Sequence, residues 1–256
     1  MNELSYEDHV ESVQREGEAL LSHAQRAGLG ASVPSCPGWE VADLLRHVTR
    51  VHRWATGYLV HGYDQRVPHH EEGGQGSPLG EDEIVGRAAE AHAGLVRALL
   101  GAPPDLQCWA FLPASSPRGF WARRQAHETA VHRADAELAA GAPVSAVGPA
   151  TAADGLDELL FGFLARPSRA GSPTPDDQGV VALHATDHPG RWSVHIGTQG
   201  ARALKGGSSG PAADLTVTGP ASALYFLAWN RTGAGPLVLE GRESLLAAFS
   251  LTAREG

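Results

Sequence analysis

The segment Arg123-Arg124-Gln125-Ala126-His127-Glu128-Thr129-Ala130-Val131-His132-Arg133-Ala134-Asp135 sets a carboxylate, Glu128, and an imidazole, His132, four residues apart. On an α-helix, residues i and i+4 lie one turn apart on the same face, so both side chains can reach one divalent metal ion. His127 and Asp135 flank the pair and are placed to support it. Two ligands do not close a site, and the third has to come from another element. Two histidines compete for that place. His47 is in register with Leu44, Val51 and Trp54, and His52 with Val41, Leu45 and Val48, so spacing alone does not choose between them. A Glu/His pair at this spacing is by itself a common solvated surface pair, and a histidine on an apolar face is more often core than ligand. Geometry disfavours a His-Glu-x-x-His metalloprotease, because His127 and His132 are five residues apart and diverge around the helix.

The elements that must carry these residues follow from hydrophobic period and punctuation. Apolar residues recur at helical spacing from Glu3 to Ala27, where Gly28 and Gly30 stop the run. Val33-Pro34-Ser35-Cys36-Pro37-Gly38-Trp39 reads as a turn with a polar cap before Pro37, leading into a second helix from about Trp39 to Val60. Gly62 to Gly80 reads as a loop, Glu81 to Leu100 as a third helix, and Phe120 to Ala140 as a fourth that carries Glu128 and His132. Four such helices predict a four-helix bundle over residues 1–145. Residues 146–256 have a different rhythm and predict a small α+β domain. There a helix (Ala150 to Ala165) and a linker (Pro167 to Gly179) precede strands at Val180–Ala185, Arg191–Ile196 and Ala213–Thr218. A helix over Pro220–Trp229, a strand at Leu237–Gly241 and a last helix over Glu243–Ala253 complete the domain.

Composition narrows the functional classes. The chain has 256 residues, 42% of them hydrophobic, and a formal net charge of −9. That charge opposes nucleic acid or anionic lipid as partner. No apolar run is long enough to span a bilayer, and the acidic start Met1-Asn2-Glu3-Leu4 lacks a signal-peptide core. Cys36 and Cys108 form no CxxC pair, which argues against a cysteine-built zinc site or a disulfide scaffold and fits a reducing cytoplasm. No extra apolar helix face stands out, and a monomer is expected.

Three stretches carry a resemblance. They are Val33 to Trp39 together with Val41-Ala42-Asp43-Leu44-Leu45-Arg46-His47, then Trp121 to Glu128, then Val131-His132-Arg133-Ala134-Asp135-Ala136-Glu137. In these the N-terminal half resembles the mycothiol-dependent maleylpyruvate isomerase family, a DinB-like group of actinobacterial enzymes. The family's first histidine ligand lies eight residues after the Gly-Trp tryptophan, and His47 stands at that offset from Trp39. The resemblance therefore implies a zinc site of His47, Glu128 and His132, or the same site with another divalent metal. Ala134 stands where many relatives carry Trp. The second half, through Asp214 to Ser222, Ala228 to Arg231 and Val238 to Gly241, is similar to the family's sterol-carrier-like C-terminal domain. There the resemblance puts Arg231 at the active site; as a bare sequence feature it is equally a cation at a helix C-terminus.

Three N and O ligands leave an open position, the catalytic arrangement of zinc. An open zinc can hold a thiol as thiolate near neutral pH, and the resemblance implies mycothiol as that thiol. Added to a cis double bond conjugated to carbonyls and then lost, the thiolate gives the trans isomer, with Arg231 holding a carboxylate or enolate. Kept as a thioether, it gives a mycothiol S-transferase acting on an electrophilic metabolite or xenobiotic. A catalytically silent binding protein is the reading from another class. Asp43, one turn before His47, and Asp135, three residues after His132, are candidates to orient the histidines from behind.

Overall fold

The computed structural model describes residues 4–67, 81–166, 177–198, 200–206 and 212–252. Most of the expected loop to Gly80, with His69 and His70, and most of the linker after Pro167 lie outside them. The described chain forms two compact units divided after Ser145.

The first unit is helical. Helix α1 (Tyr6–Ala27) starts on a capping box in which Ser5 Oγ accepts from Asp8 N–H and the Asp8 carboxylate accepts from Ser5 N–H, and it ends at Gly28 with φ +83°. Helix α2 (Val41–His61) is capped by Glu40 and Asp43 in the same reciprocal way. The polar cap expected before Pro37 is therefore not a cap. Val33 to Trp39 is a closed turn, held by Val33 N–H to Trp39 C=O, Cys36 N–H to Val33 C=O and Trp39 N–H to Cys36 C=O. Helix α3 spans Glu81–Gly101. Helix α4 (Pro117–Ala139) begins three residues before its expected start, since Ser116 caps it and Pro117 fits a first turn whose N–H needs no partner.

In this unit α1 packs on α4 and α2 on α3, with α2 also against α4 and α1 against α3. Val13, Leu20, Leu44, Leu45, Leu95, Leu99 and Trp121 are fully buried between them. Burying each of these side chains contributes roughly 1.5–3 kcal/mol. Helix α4 is buried on nearly every side, and several of its charged residues are paired there. Arg133, for example, donates to Glu16 of α1 at 2.8 Å and to Glu137.

The second unit holds a five-stranded sheet of order β3-β2-β1-β4-β5. Its strands are β1 (Gly179–Ala185), β2 (Arg191–Gly197), β3 (Gly200–Lys205), β4 (Leu215–Gly219) and β5 (Val238–Gly241). Only β1 and β4 pair in parallel. Helix α5 (Pro149–Asp157) runs into a π-helical segment, Glu158–Phe163, where periodicity predicts plain α-helix. Helices α6 (Ala221–Ala228) and α7 (Leu245–Thr252) pack on the sheet. Strand β3 is an addition to the expected set; at the sheet edge its residues are half-exposed or exposed and give no strong alternation.

Candidate active site

Two helix faces build the site. On α4, Trp121, Arg124, Glu128, His132 and Asp135 succeed one another at intervals of three and four residues. That spacing makes them one stripe. On α2, His47, Val51, Trp54 and Tyr58 do the same. The two stripes are joined at one end by aromatic packing. Tyr58 stacks on Trp121 with ring centroids 4.7 Å apart, and Trp54 meets Trp121 edge-on at 4.9 Å. Further along the seam His47 comes opposite Glu128.

There the geometry is tight. His47 Nε2 and His132 Nε2 each lie 3.1 Å from Glu128 Oε1. The ligand-type atoms of His47, Glu128 and His132 all fall within 4.8 Å of one another. The second carboxylate oxygen, Oε2, accepts from the Arg124 guanidinium at 2.9 Å. His132 Nδ1 is 2.8 Å from Asp135 Oδ2, so the imidazole donates from Nδ1 to Asp135, and its Nε2 carries a proton to Glu128 or, in the neutral ring, a lone pair that can bind a metal.

The turn before α2 reaches one imidazole directly and the other through Asp135. Ser35 Oγ donates to Asp135 Oδ1 at 2.5 Å, and the Cys36 thiol points to Asp135 Oδ2 at 3.7 Å. Trp39, at the end of the same turn, sets its ring 5.3 Å from that of His47. Gly38 closes the turn at φ +85°, a backbone state that side chains rarely adopt. One short segment thus braces His132 through Asp135 and His47 directly.

Neighbouring charges and hydrogen bonds hold Glu128 ionised and His132 protonated. Burial alone raises the Glu128 carboxyl pKa, but hydrogen bonds from His132 and His47, with the charges of His132 and Arg124, carry it well below the usual carboxylate range. Burial depresses His132, yet hydrogen bonds and charge from Asp135 and Glu128 outweigh it and push its pKa up to about 9. A proton on His132 between two carboxylates occupies the electrostatic place that a metal ion takes in a His/Glu site.

The remaining expected residues are placed as follows. His52 is 1% exposed, and its Nε2 lies 3.2 Å from Thr129 Oγ1, so it faces the bundle interior rather than Glu128. His127 is fully buried on another side of α4, its ring edge-on to His9 of α1 at 6.3 Å. Asp43 accepts from Glu40 N–H at 3.1 Å and from Arg46 at 3.0 Å. It serves the start of α2 and does not orient His47. Arg231, in the second unit, follows the turn at Asn230, the one non-glycine residue with positive φ (58°) among those described. Its backbone N–H donates to Phe226 C=O at 2.8 Å and its guanidinium to Trp229 C=O at 2.7 Å. Arg124, Ser35 and Cys36 were not among the expected residues around the site. Arg124 had a legible signal, standing one turn before Glu128 in the same stripe. Ser35 and Cys36 had none, because their contact with Asp135 spans about a hundred residues of sequence.

Two family models match this architecture. The mycothiol maleylpyruvate isomerase N-terminal domain covers residues 10–137, and the MDMPI C-terminal domain covers residues 150–248. The chain belongs to the mycothiol-dependent maleylpyruvate isomerase family. Among solved structures, it is similar to a crystal structure of the mycothiol-dependent maleylpyruvate isomerase, with a TM-score of 0.63, 14% sequence identity and 93% of each chain covered. A histidine-to-alanine mutant of that isomerase gives a TM-score of 0.62 at 12% identity, again over 93% of both chains. At such identities the likeness establishes the shared two-part fold. No curated protein matches the chain. Among the described residues, no helix is long and apolar enough to cross a membrane.

Proposed function

We propose that this family member is a metal-dependent enzyme that uses mycothiol as a thiolate to isomerise a cis double bond in a maleylpyruvate-like substrate. The observation that carries the reading is the convergence of His47 Nε2 and His132 Nε2 on one oxygen of Glu128. Two imidazole nitrogens and a carboxylate oxygen are a donor set for zinc or a similar divalent ion, and three ligands leave a position for a reactant. An ion bound there supplies one thing, a lowered pKa for a thiol, so that the thiol is ionised near neutral pH.

The protein's own residues do the rest. Asp135 fixes the tautomer and direction of His132, Arg124 fixes the rotation of Glu128, and Trp39 limits the swing of His47. Arg231 is the proposed partner for a substrate carboxylate or for the enolate that forms as the thiolate adds to the double bond. Rotation about the resulting single bond and departure of the thiolate return mycothiol unchanged and leave the trans product.

Metal analysis of the purified protein tests the reading. One divalent ion per chain in wild type and none in Glu128→Ala is the expected result; a metal-free wild type that gains no stability from added zinc sinks it. Incubation with mycothiol and maleylpyruvate, followed by chromatography that resolves the cis and trans acids and by mass spectrometry, then separates the outcomes. An isomer of unchanged mass with mycothiol recovered is the expected product, whereas an accumulating thioether would make the protein an S-transferase.

A further inference from the structure

The two oxygens of Glu128 are used differently. Oε1 faces both histidine nitrogens at 3.1 Å, and Oε2 is committed to Arg124 at 2.9 Å. Arg124 is 3% exposed and stands one turn before Glu128 on α4. A carboxylate with both oxygens unengaged can take a metal ion through two of them. Here the second mode requires rotating Oε2 away from a charge-assisted bond that is shielded from water. The planar guanidinium has a fixed donor direction, and its own α4 backbone ties it to Glu128.

Resting on the reading of His47, Glu128 and His132 as a metal centre, we infer that Arg124 is a positioning residue that keeps Glu128 a one-oxygen ligand and so reserves space beside the ion for an oxygen of the substrate. Zinc in catalytic sites can expand from four to five ligands during reaction. Two histidines and one carboxylate oxygen leave room for both the thiol and a substrate carbonyl or carboxylate oxygen. If Glu128 turned both oxygens to the ion, it would occupy the substrate's share. Arg124 itself touches no reactant. Its part is to hold the neighbouring carboxylate in one rotation.

The test loads wild type, Arg124→Met and Arg124→Lys with cobalt(II), whose visible spectrum reports ligand number. The readouts are metal content, that spectrum before and after mycothiol, and KM and kcat with maleylpyruvate. Arg124→Met is expected to hold one cobalt per chain, to show shifted bands before any thiol is added, and to keep a spectral response to mycothiol. Its KM for maleylpyruvate should rise by about tenfold or more, the usual scale for loss of an outer partner of a metal ligand. Arg124→Lys, which returns the charge without the fork, should fall between it and wild type. Should Arg124→Met fail to fold, Arg124→Lys carries the same comparison. A variant with wild-type spectrum and wild-type KM overturns the inference. So does loss of the cobalt, which would make Arg124 necessary for ligation itself. A wild type that takes up no cobalt overturns the metal-centre reading and this inference with it, whereas the other two outcomes overturn this inference alone.

Discussion

Asp135 sits behind His132 and is itself held by a residue far away in sequence. Ser35 donates to one of its oxygens at 2.5 Å while His132 takes the other at 2.8 Å. Removing the serine hydroxyl takes away one of the contacts that hold the Asp135 side chain and loosens the direction of the imidazole. Ser35→Ala is therefore expected to weaken metal affinity by about tenfold while lowering stability by only about 1 kcal/mol, the net worth of one hydrogen bond. Competition with a chromophoric chelator, run beside a denaturant melt, measures both quantities. Ser35→Thr, which keeps the hydroxyl, should restore the affinity. Equal affinity in wild type and Ser35→Ala would mean that Asp135 needs no brace.

At the scale of elements, the bundle is closed by fits as specific as its ligand pairs. Gly17 of α1 lies under the His92 ring of α3, and a Cβ placed on it would come 2.1 Å from His92 Cε1. Overpacking of this kind costs roughly 1–3 kcal/mol, more than the ~1 kcal/mol that alanine gains over glycine in a helix. Gly17→Ala should destabilise the wild type and stabilise a His92→Ala background, where the new methyl enters vacated space. The sign reversal is read from thermal or urea unfolding of the four proteins in a double-mutant cycle. Helices of this kind are legible in sequence because a 3.6-residue period and a cap are local properties. The expected helix ends lie within three residues of α1 to α4. The π-helical turn at Glu158–Phe163 and the edge strand β3 were not legible, since a wider turn and a weakly patterned strand both depend on what packs against them.

Over the whole molecule, buried neutral histidines make stability depend on acid. His52 lies in the bundle interior, where burial first and the neighbouring His92 second bring its pKa from 6.5 down to about 3. Burial lowers His92 as well. The unfolded chain binds protons on these rings below about pH 6.5, and the folded chain does not. The contribution of these two rings is therefore complete above the unfolded value and drains away as pH falls below about 6.5, for His52 toward 3 and by up to about 1.4 kcal/mol per unit. Urea melts between pH 7 and pH 4 should show this slope, and His52→Gln should flatten it; an unchanged slope would place the acid sensitivity elsewhere. The sequence by itself determined a helical N-terminal part, a mixed sheet-and-helix part after it, the Glu128/His132 pair and the family, because these reside in local period and in motifs a few residues long. His47 and His52 stand on one helix with equally plausible faces, and periodicity could not rank them. The resemblance pointed to His47 by its offset from Trp39, and the packing of α2 against α4 brings that ring opposite Glu128, while the structure makes Asp43 part of a helix cap and turns His127 toward α1. Tertiary structure alone placed the Ser35 turn behind Asp135, because contacts across a hundred residues are set by the assembled core.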